Sequence, residues 1–262
     1  MIRIGPAGFG GNPLENIDKI SSLGVSAVEV EFTYGVYMNN DDAKKLKELN
    51  KKHKLKLSIH APYYINLAAK EKQKIGASRK RILDSCERGH HMGAEYIVFH
   101  AGFYMARDKE EVYQMIKEQV IKLMDTIKEK GWKVKLAPET TGKASQFGDL
   151  DELIRLKKET GCHLCVDFAH LKARNLGEID YDDVMSKIKP LGYIHSHFSG
   201  IEWTGKGEKK HLVTEDEDIR ELLSYLLKYE IDVTIINESP ENFDDSRKMI
   251  RMLEEMKIDS LE

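Results

Sequence analysis

The stretch VKLAPETTGKASQFGDLDELIRLKKETGCHLCVDFAH (residues 134–170) reads as one strand–helix–strand unit. Residues 134–139 form a short apolar run of strand character that ends on a carboxylate, Glu139. The segment "DLDELIRLKKETG" (149–161) has the spacing of an amphipathic helix. Asp149 and Asp151 can accept hydrogen bonds from the unpaired N–H groups at its start. Gly161 closes it, because a residue without Cβ takes up the left-handed backbone of a helix end. A second apolar run, "LCVDFAH" (164–170), then delivers Asp167 and His170.

The same alternation continues in both directions. Strand-like runs fall at "IRIG" (2–5), "AVEVEF" (27–32), "LKLSIH" (55–60), "YIVFH" (96–100), "YIHSHFS" (193–199) and "VTIINE" (233–238). Helical patterns such as "NPLENIDKISSLG", "DDAKKLKELNKKH", "EEVYQMIKEQVIKLMDTIKEKG" and "FDDSRKMIRMLEEM" follow them. Eight such units in 262 residues predict an α/β fold, a (β/α)8 TIM barrel forming a single domain over residues 1–262. An open doubly wound sheet is the rival. It lacks its usual mark here, since "GPAGFGGNP" carries glycines but not at G-x-G-x-x-G spacing.

Composition narrows the class of protein. A hydrophobic share of 41% supports a sizeable core, and a net charge of −3 does not announce a strongly basic nucleic-acid binder. An anionic partner would have to meet a local basic patch. Cys86, Cys162 and Cys165 make no disulfide framework. The C-x-x-C spacing of the last two has no second pair to complete a zinc site, so buried thiols are expected. No apolar run approaches the ~18 residues of a membrane span, and the N-terminus lacks the features of a signal peptide. A cytoplasmic protein with no membrane association and no implied protein partner is expected.

The polar residues on the strands carry the chemistry. His60, His100, Glu139, Asp167, His197 and Glu238 end the third to eighth runs, with His170 in the loop after Asp167. In a parallel barrel all strand C-termini reach one rim, where active sites are built. Carboxylates massed there would repel one another unless cations sat among them. Imidazole and carboxylate together suit zinc, with manganese as an alternative. The donors exceed what one tetrahedral ion needs, so a cluster of two or three ions is expected.

These residues carry a resemblance. "HAPYYIN" (60–66) resembles the H-x-x-Y-x-I-N signature of the endonuclease IV family, and "VFHAG" (98–102), "PET" (138–140), "DFAH" (167–170), "HFSG" (197–200) and "NES" (237–239) resemble its other metal-binding segments in the same order. The family lies within the wider xylose isomerase-like TIM-barrel group. The resemblance implies a zinc-dependent hydrolase that cuts DNA containing abasic sites, in base excision repair. It implies that His60, His100 and Glu139 hold one ion. Glu139, Asp167, His197 and Glu238 hold a second, and His170 and His211 belong to a third. Glu139, which bridges two ions, is the implied catalytic centre. Tyr63 matches a tyrosine that contacts DNA near the lesion.

One departure stands out. The family carries Asp-x-His after the seventh strand, but "EKKH" (208–211) places Lys209 where the aspartate belongs. A lysine cannot replace that ligand, and Glu208 could do so only if the loop shifted. Lys209, together with Lys210, is instead expected to bind the phosphate backbone. His195, two residues before His197, is expected to support the site or the core rather than to bind metal.

Two other readings remain open. A xylose isomerase-like sugar isomerase or epimerase would need a single divalent ion held by Glu139, Asp167, His197 and Glu238. A non-catalytic protein that holds metal or binds damaged DNA would be consistent with the altered loop.

Overall fold

The computed structural model describes residues 1–259; the last three positions of the single-domain reading, 260–262, lie outside the described residues. Among these, eight parallel strands form the barrel: β1 (Ile2–Pro6), β2 (Ala27–Glu31), β3 (Lys56–His60), β4 (Tyr96–Phe99), β5 (Lys135–Pro138), β6 (Cys165–Asp167), β7 (Ile194–Phe198) and, last in the chain, β10 (Val233–Asn237). Two four-stranded ladders, β2-β3-β4-β5 and β1-β10-β7-β6, make up the wall. Parallel bridges between Ala7 and Glu29 and between Glu139 and Cys165 join them into a closed ring. Closure leaves no free sheet edge. All eight runs seen in the sequence are strands of this ring.

The helices pack outside. These are α1 (Pro13–Ser22), α2 (Asn40–His53), α3 (Lys72–Met92), α4 (Lys109–Glu129), α5 (Leu150–Thr160), α6 (Phe168–Arg174), α7 (Tyr181–Ile188), α8 (Asp216–Lys228) and α9 (Asn242–Asp259). In α4 the residues Val112, Ile116, Val120, Leu123 and Ile127 are buried at helical spacing. Each contributes roughly 1.5–3 kcal/mol of apolar burial. The start of α5 is a complete capping box: the Asp149 carboxylate and the Glu152 side chain each accept from the other's end of the first turn. Asp151 lies within that first turn and does not itself cap it.

Two local expectations need correction. The sixth run ends at Asp167 as expected, but His170 does not lie in a loop: the Asp167 side chain accepts the His170 N–H at 2.7 Å and caps α6, which carries His170. The unpaired N–H groups of a helix start, one of them bonded by Asp167, favoured a helix here over a loop. The segment after β7 is likewise not an irregular loop. It is an antiparallel hairpin, β8 (Gly200–Thr204) with β9 (Gly207–Leu212). The thiols behave as expected: Cys86, Cys162 and Cys165 are free and buried. Among the described residues no helix is long and apolar enough to cross a membrane.

Candidate metal centre

Strand register decides which side chains meet. Glu31 pairs with His60 across β2 and β3, and Asp167 pairs with His197 across β6 and β7. Both pairs lie at the C-terminal ends of their strands. Around them a cavity of about 400 Å³ is lined by Glu31, His60, Tyr63, His100, Glu139, His170, Glu208, His211 and Glu238. A hollow of about 460 Å³ elsewhere, between the end of α4 and β5, is lined instead by Met124, Ile127, Trp132 and Leu136 with lysines. It gathers no comparable set of donors.

Glu139 is the hub. Its Oε2 lies 3.2 Å from His60 Nε2 and 2.9 Å from His100 Nε2, and its Oε1 lies 3.0 Å from His197 Nδ1 and 3.4 Å from His170 Nδ1. It is 1% exposed. Three donor sets radiate from this point: His60, His100 and Glu139; Glu139, Asp167, His197 and Glu238; and His170, Glu208 and His211. Every metal residue expected from the sequence falls into one of them.

The third set is completed by a β-bulge. Trp203 pairs with Glu208 but Glu202 pairs with Lys210, so Lys209 has no cross-strand partner. The extra residue turns Glu208 and His211 to one side although an odd number of positions separates them. Close backbone contact holds the hairpin in place. Gly207 has φ +92°, and a Cβ there would sit 2.2 Å from the Gly142 carbonyl oxygen. The Glu208 N–H donates to that same carbonyl at 2.9 Å. Glu208 therefore places its carboxylate beside His170 and His211, where Lys209 offers none.

Lys209 and Lys210 do not reach the cavity. Their ammonium groups pair with Glu202 at 2.5 and 3.5 Å on the exposed side of the hairpin. The sequence reading sets both on the phosphate backbone of a substrate; the bulge that admits Glu208 turns Lys209 to the exposed side of the hairpin. Tyr63 is 57% exposed at the mouth, with its ring 6.0 Å from that of His60. His195 is buried, hydrogen-bonded through Nε2 to Glu29 Oε2 at 3.0 Å and stacked on Tyr96.

Hydrogen bonds set which nitrogen of each ring faces inward. His60 Nδ1 donates to the Ala61 carbonyl at 2.8 Å, and His170 Nδ1 to the Thr140 carbonyl at 3.0 Å. Ser199 gives its own hydroxyl proton to the Gly200 carbonyl, so it accepts from His211 Nδ1 at 2.7 Å. In the neutral rings of His60 and His170 this leaves Nε2 bare and turned toward a carboxylate, 3.2 Å from Glu139 and 3.6 Å from Glu208. A lone pair facing a carboxylate requires a positive charge between them, a proton or a metal ion.

The electrostatics agree. Burial alone would raise the Glu139 pKa, but His100 and His197 hold it well below the ordinary carboxylate range. Burial opposes charge on His60, yet Glu139 outweighs it and lifts that imidazole to about 10. Glu238 is pushed up to about 8 and Glu31 to about 7, in both cases first by burial and then by neighbouring carboxylates. Protons thus gather where cations would compensate the same charge. Buried atoms without a hydrogen-bond partner, among them Asp167 Oδ2, His170 Nε2 and Glu31 Oε1, point the same way. The donor set fits divalent metal ions.

Glu29 and Glu31 escaped the sequence reading. Their signal lay in "AVEVE" (27–31), where two carboxylates two apart must face the same side of a strand.

The fold is that of a (β/α)8 barrel whose rim carries donor sets fit for divalent metal. The chain belongs to the xylose isomerase-like TIM barrel family, whose model matches residues 17–256. An uncharacterized protein of Methanocaldococcus jannaschii is 38% identical over 236 residues, covering 86% of this chain and 85% of that one. A probable endonuclease 4 of Carboxydothermus hydrogenoformans is more distant, at 29% identity over 152 residues; the match covers 56% of this chain and half (50%) of the relative. The fold is shared with endonuclease IV from Thermus thermophilus (TM-score 0.73, 21% identity, 97% of this chain and 99% of that one). It is shared equally with a D-tagatose 3-epimerase-like protein (TM-score 0.74, 19% identity, 99% and 100%).

Proposed function

We propose that this chain is a metal-dependent phosphodiester hydrolase of the endonuclease IV type, holding two or three zinc ions and cutting DNA at abasic sites. The observation that carries the reading is the third donor set. Glu208 joins His170 and His211 beside the two sets that share Glu139, a multi-ion arrangement that a sugar isomerase does not require. Distant kinship with probable endonuclease 4 proteins supports it.

When bound, such ions neutralise the phosphate, lower the pKa of water and stabilise the leaving oxygen. The protein's own part is positioning. Glu139 spans two donor sets and keeps them in register. Asp167 sits at the start of α6, where the unpaired N–H groups hold its carboxylate in one orientation. The cavity of about 400 Å³ is of the size that takes a small ligand, here a sugar-phosphate unit swung out of the duplex. Extrusion is easiest where no base is stacked. Tyr63, exposed beside His60, offers a ring against the vacated stack.

A second reading has its own support. Glu139, Asp167, His197 and Glu238 form a tetrad sufficient for one ion, and Glu31 adds a further carboxylate to the cavity wall. That pattern suits a polyol-handling isomerase with proton transfer at carbon. One experiment separates the two: metal analysis of the purified protein, with incision of a duplex carrying one abasic analogue, with and without chelator. About three zinc ions and chelator-sensitive incision are expected. A single ion per chain with no incision at any metal loading would favour the isomerase.

A further inference from the structure

We propose that Glu29 is a positioning residue of the metal centre, accepting the Nε2 proton of His195 with one oxygen and setting the other against Nε2 of His197, and so presenting the bare Nδ1 of His197 to the ion. This deepens the metal-centre reading and rests on His197 being a ligand.

Glu29 lies in β2 with 0% exposure, deep to the rim donors. Its Oε2 accepts from His195 Nε2 at 3.0 Å, and its Oε1 is 2.8 Å from His197 Nε2. Among the described residues its side chain is paired with these two imidazoles alone and with no lysine or arginine. His195 and His197 alternate along β7 and share its inner face. The Oε1 contact lies off the ring N–H direction, and neither atom has a hydrogen bond of good geometry elsewhere. The hold on His197 is therefore chiefly electrostatic.

That hold still selects a tautomer. A neutral imidazole carries one proton. If the proton left Nε2, that lone pair would face a buried carboxylate oxygen, 2.8 Å away, with nothing between them. With the proton on Nε2, Nδ1 is bare, and it is Nδ1 that lies 3.0 Å from Glu139 Oε1 and 3.3 Å from Glu238 Oε1. His60, His170 and His211 have neutral outer acceptors, namely two carbonyls and a hydroxyl. His197 is set against a carboxylate instead, and shares it with a second ring that Tyr96 stacks in place, with centroids 5.3 Å apart. A carboxylate behind a ligating histidine both orients the ring and raises its basicity.

The substitution Glu29→Gln keeps the shape and removes one acceptor. A carboxamide oxygen can serve only one of the two rings, and its NH2 group demands a bare nitrogen from the other. At least one imidazole must then switch tautomer. Zinc titration of the full chain against a chromophoric chelator is expected to show affinity about 10–100-fold weaker in Glu29→Gln. In ¹⁵N–¹H spectra of the zinc-loaded wild type, His195 and His197 are expected as Nε2–H tautomers, with one of them converted in the variant. Adding His195→Leu frees the carboxamide oxygen for His197 and should recover affinity. Unchanged zinc affinity in Glu29→Gln, weaker affinity without a tautomer change, or a wild-type His197 protonated at Nδ1 each overturns the proposal. The wild-type spectrum decides the matter alone if the variant does not fold. A wild type that takes up no zinc fails earlier and for a different reason, since it removes the metal centre itself.

Discussion

Glu208 and His211 stand three residues apart in β9, yet both line the cavity beside His170, because the bulge at Lys209 reverses the strand's alternation between them. In a regular strand an odd separation would put them on opposite faces. Glu208→Ala is therefore expected to lower zinc content by about one ion per chain and to weaken metal-dependent activity by roughly 10–100-fold. Lys209→Ala should leave metal content unchanged. Deleting Lys209 removes the bulge and creates a regular Glu-x-His, which should retain the third ion. Elemental analysis of the three variants checks this, and loss of the ion in Lys209→Ala but not in Glu208→Ala would reverse the assignment.

Gly207 allows the hairpin to reach Glu208 into place. Its φ is positive, and the Gly142 carbonyl oxygen lies 2.2 Å from where a Cβ would stand, so there is no room for a side chain. Gly207→Ala is expected to displace Glu208 without touching the sets around Glu139. Zinc titration should then show the weakest site lost and the tighter sites retained. A variant that keeps full stoichiometry would mean that the hairpin has another way to dock.

Without cations, Glu139, Asp167 and Glu238 crowd one pocket. A ligand held at 100 times its Kd stabilises the fold by about 2.7 kcal/mol. For a chain of this size, chelation should lower Tm by roughly 5–10 °C. Differential scanning calorimetry with and without chelator reads the shift, and restoring zinc should reverse it. Coincident melting curves would count against resident metal.

Acid should weaken the fold at His163. Burial, then Lys157 and Lys135, push the His163 imidazole down to about 4. Its ordinary value in the unfolded chain is about 6.5. Between these values the unfolded chain binds a proton that the folded chain refuses. The penalty is absent above pH ~6.5, grows as pH falls, and levels off below ~4. His163→Phe, which keeps a ring against Tyr96, should narrow the gap in Tm between pH 7 and pH 5. An equal gap in both proteins would remove His163 from the account.

Much of the site was legible because strand ends in a parallel barrel share a rim. Once eight runs were counted, His60, His100, Glu139, Asp167, His197 and Glu238 had to converge. The helix that follows β6 was not legible in the same way. Asp167 ends a strand and caps a helix at once, and "FAH" reads equally well as loop until its N–H groups are traced. Glu29 was missed because a charged residue inside an apolar run gives no sign of what it faces. Its partners, His195 and His197, lie far along the chain on β7.

The sequence by itself determined the barrel, its order of strands and most of the donors, since period-two and helical spacing are local properties that survive without knowledge of contacts. Only the tertiary structure decided that Glu208 rather than Lys209 enters the site, that both hairpin lysines turn away, and that Glu29 stands behind His197. Each of these depends on register between distant segments. A single bulged residue, or one close approach of glycine backbones, moves a side chain from solvent to the metal cavity.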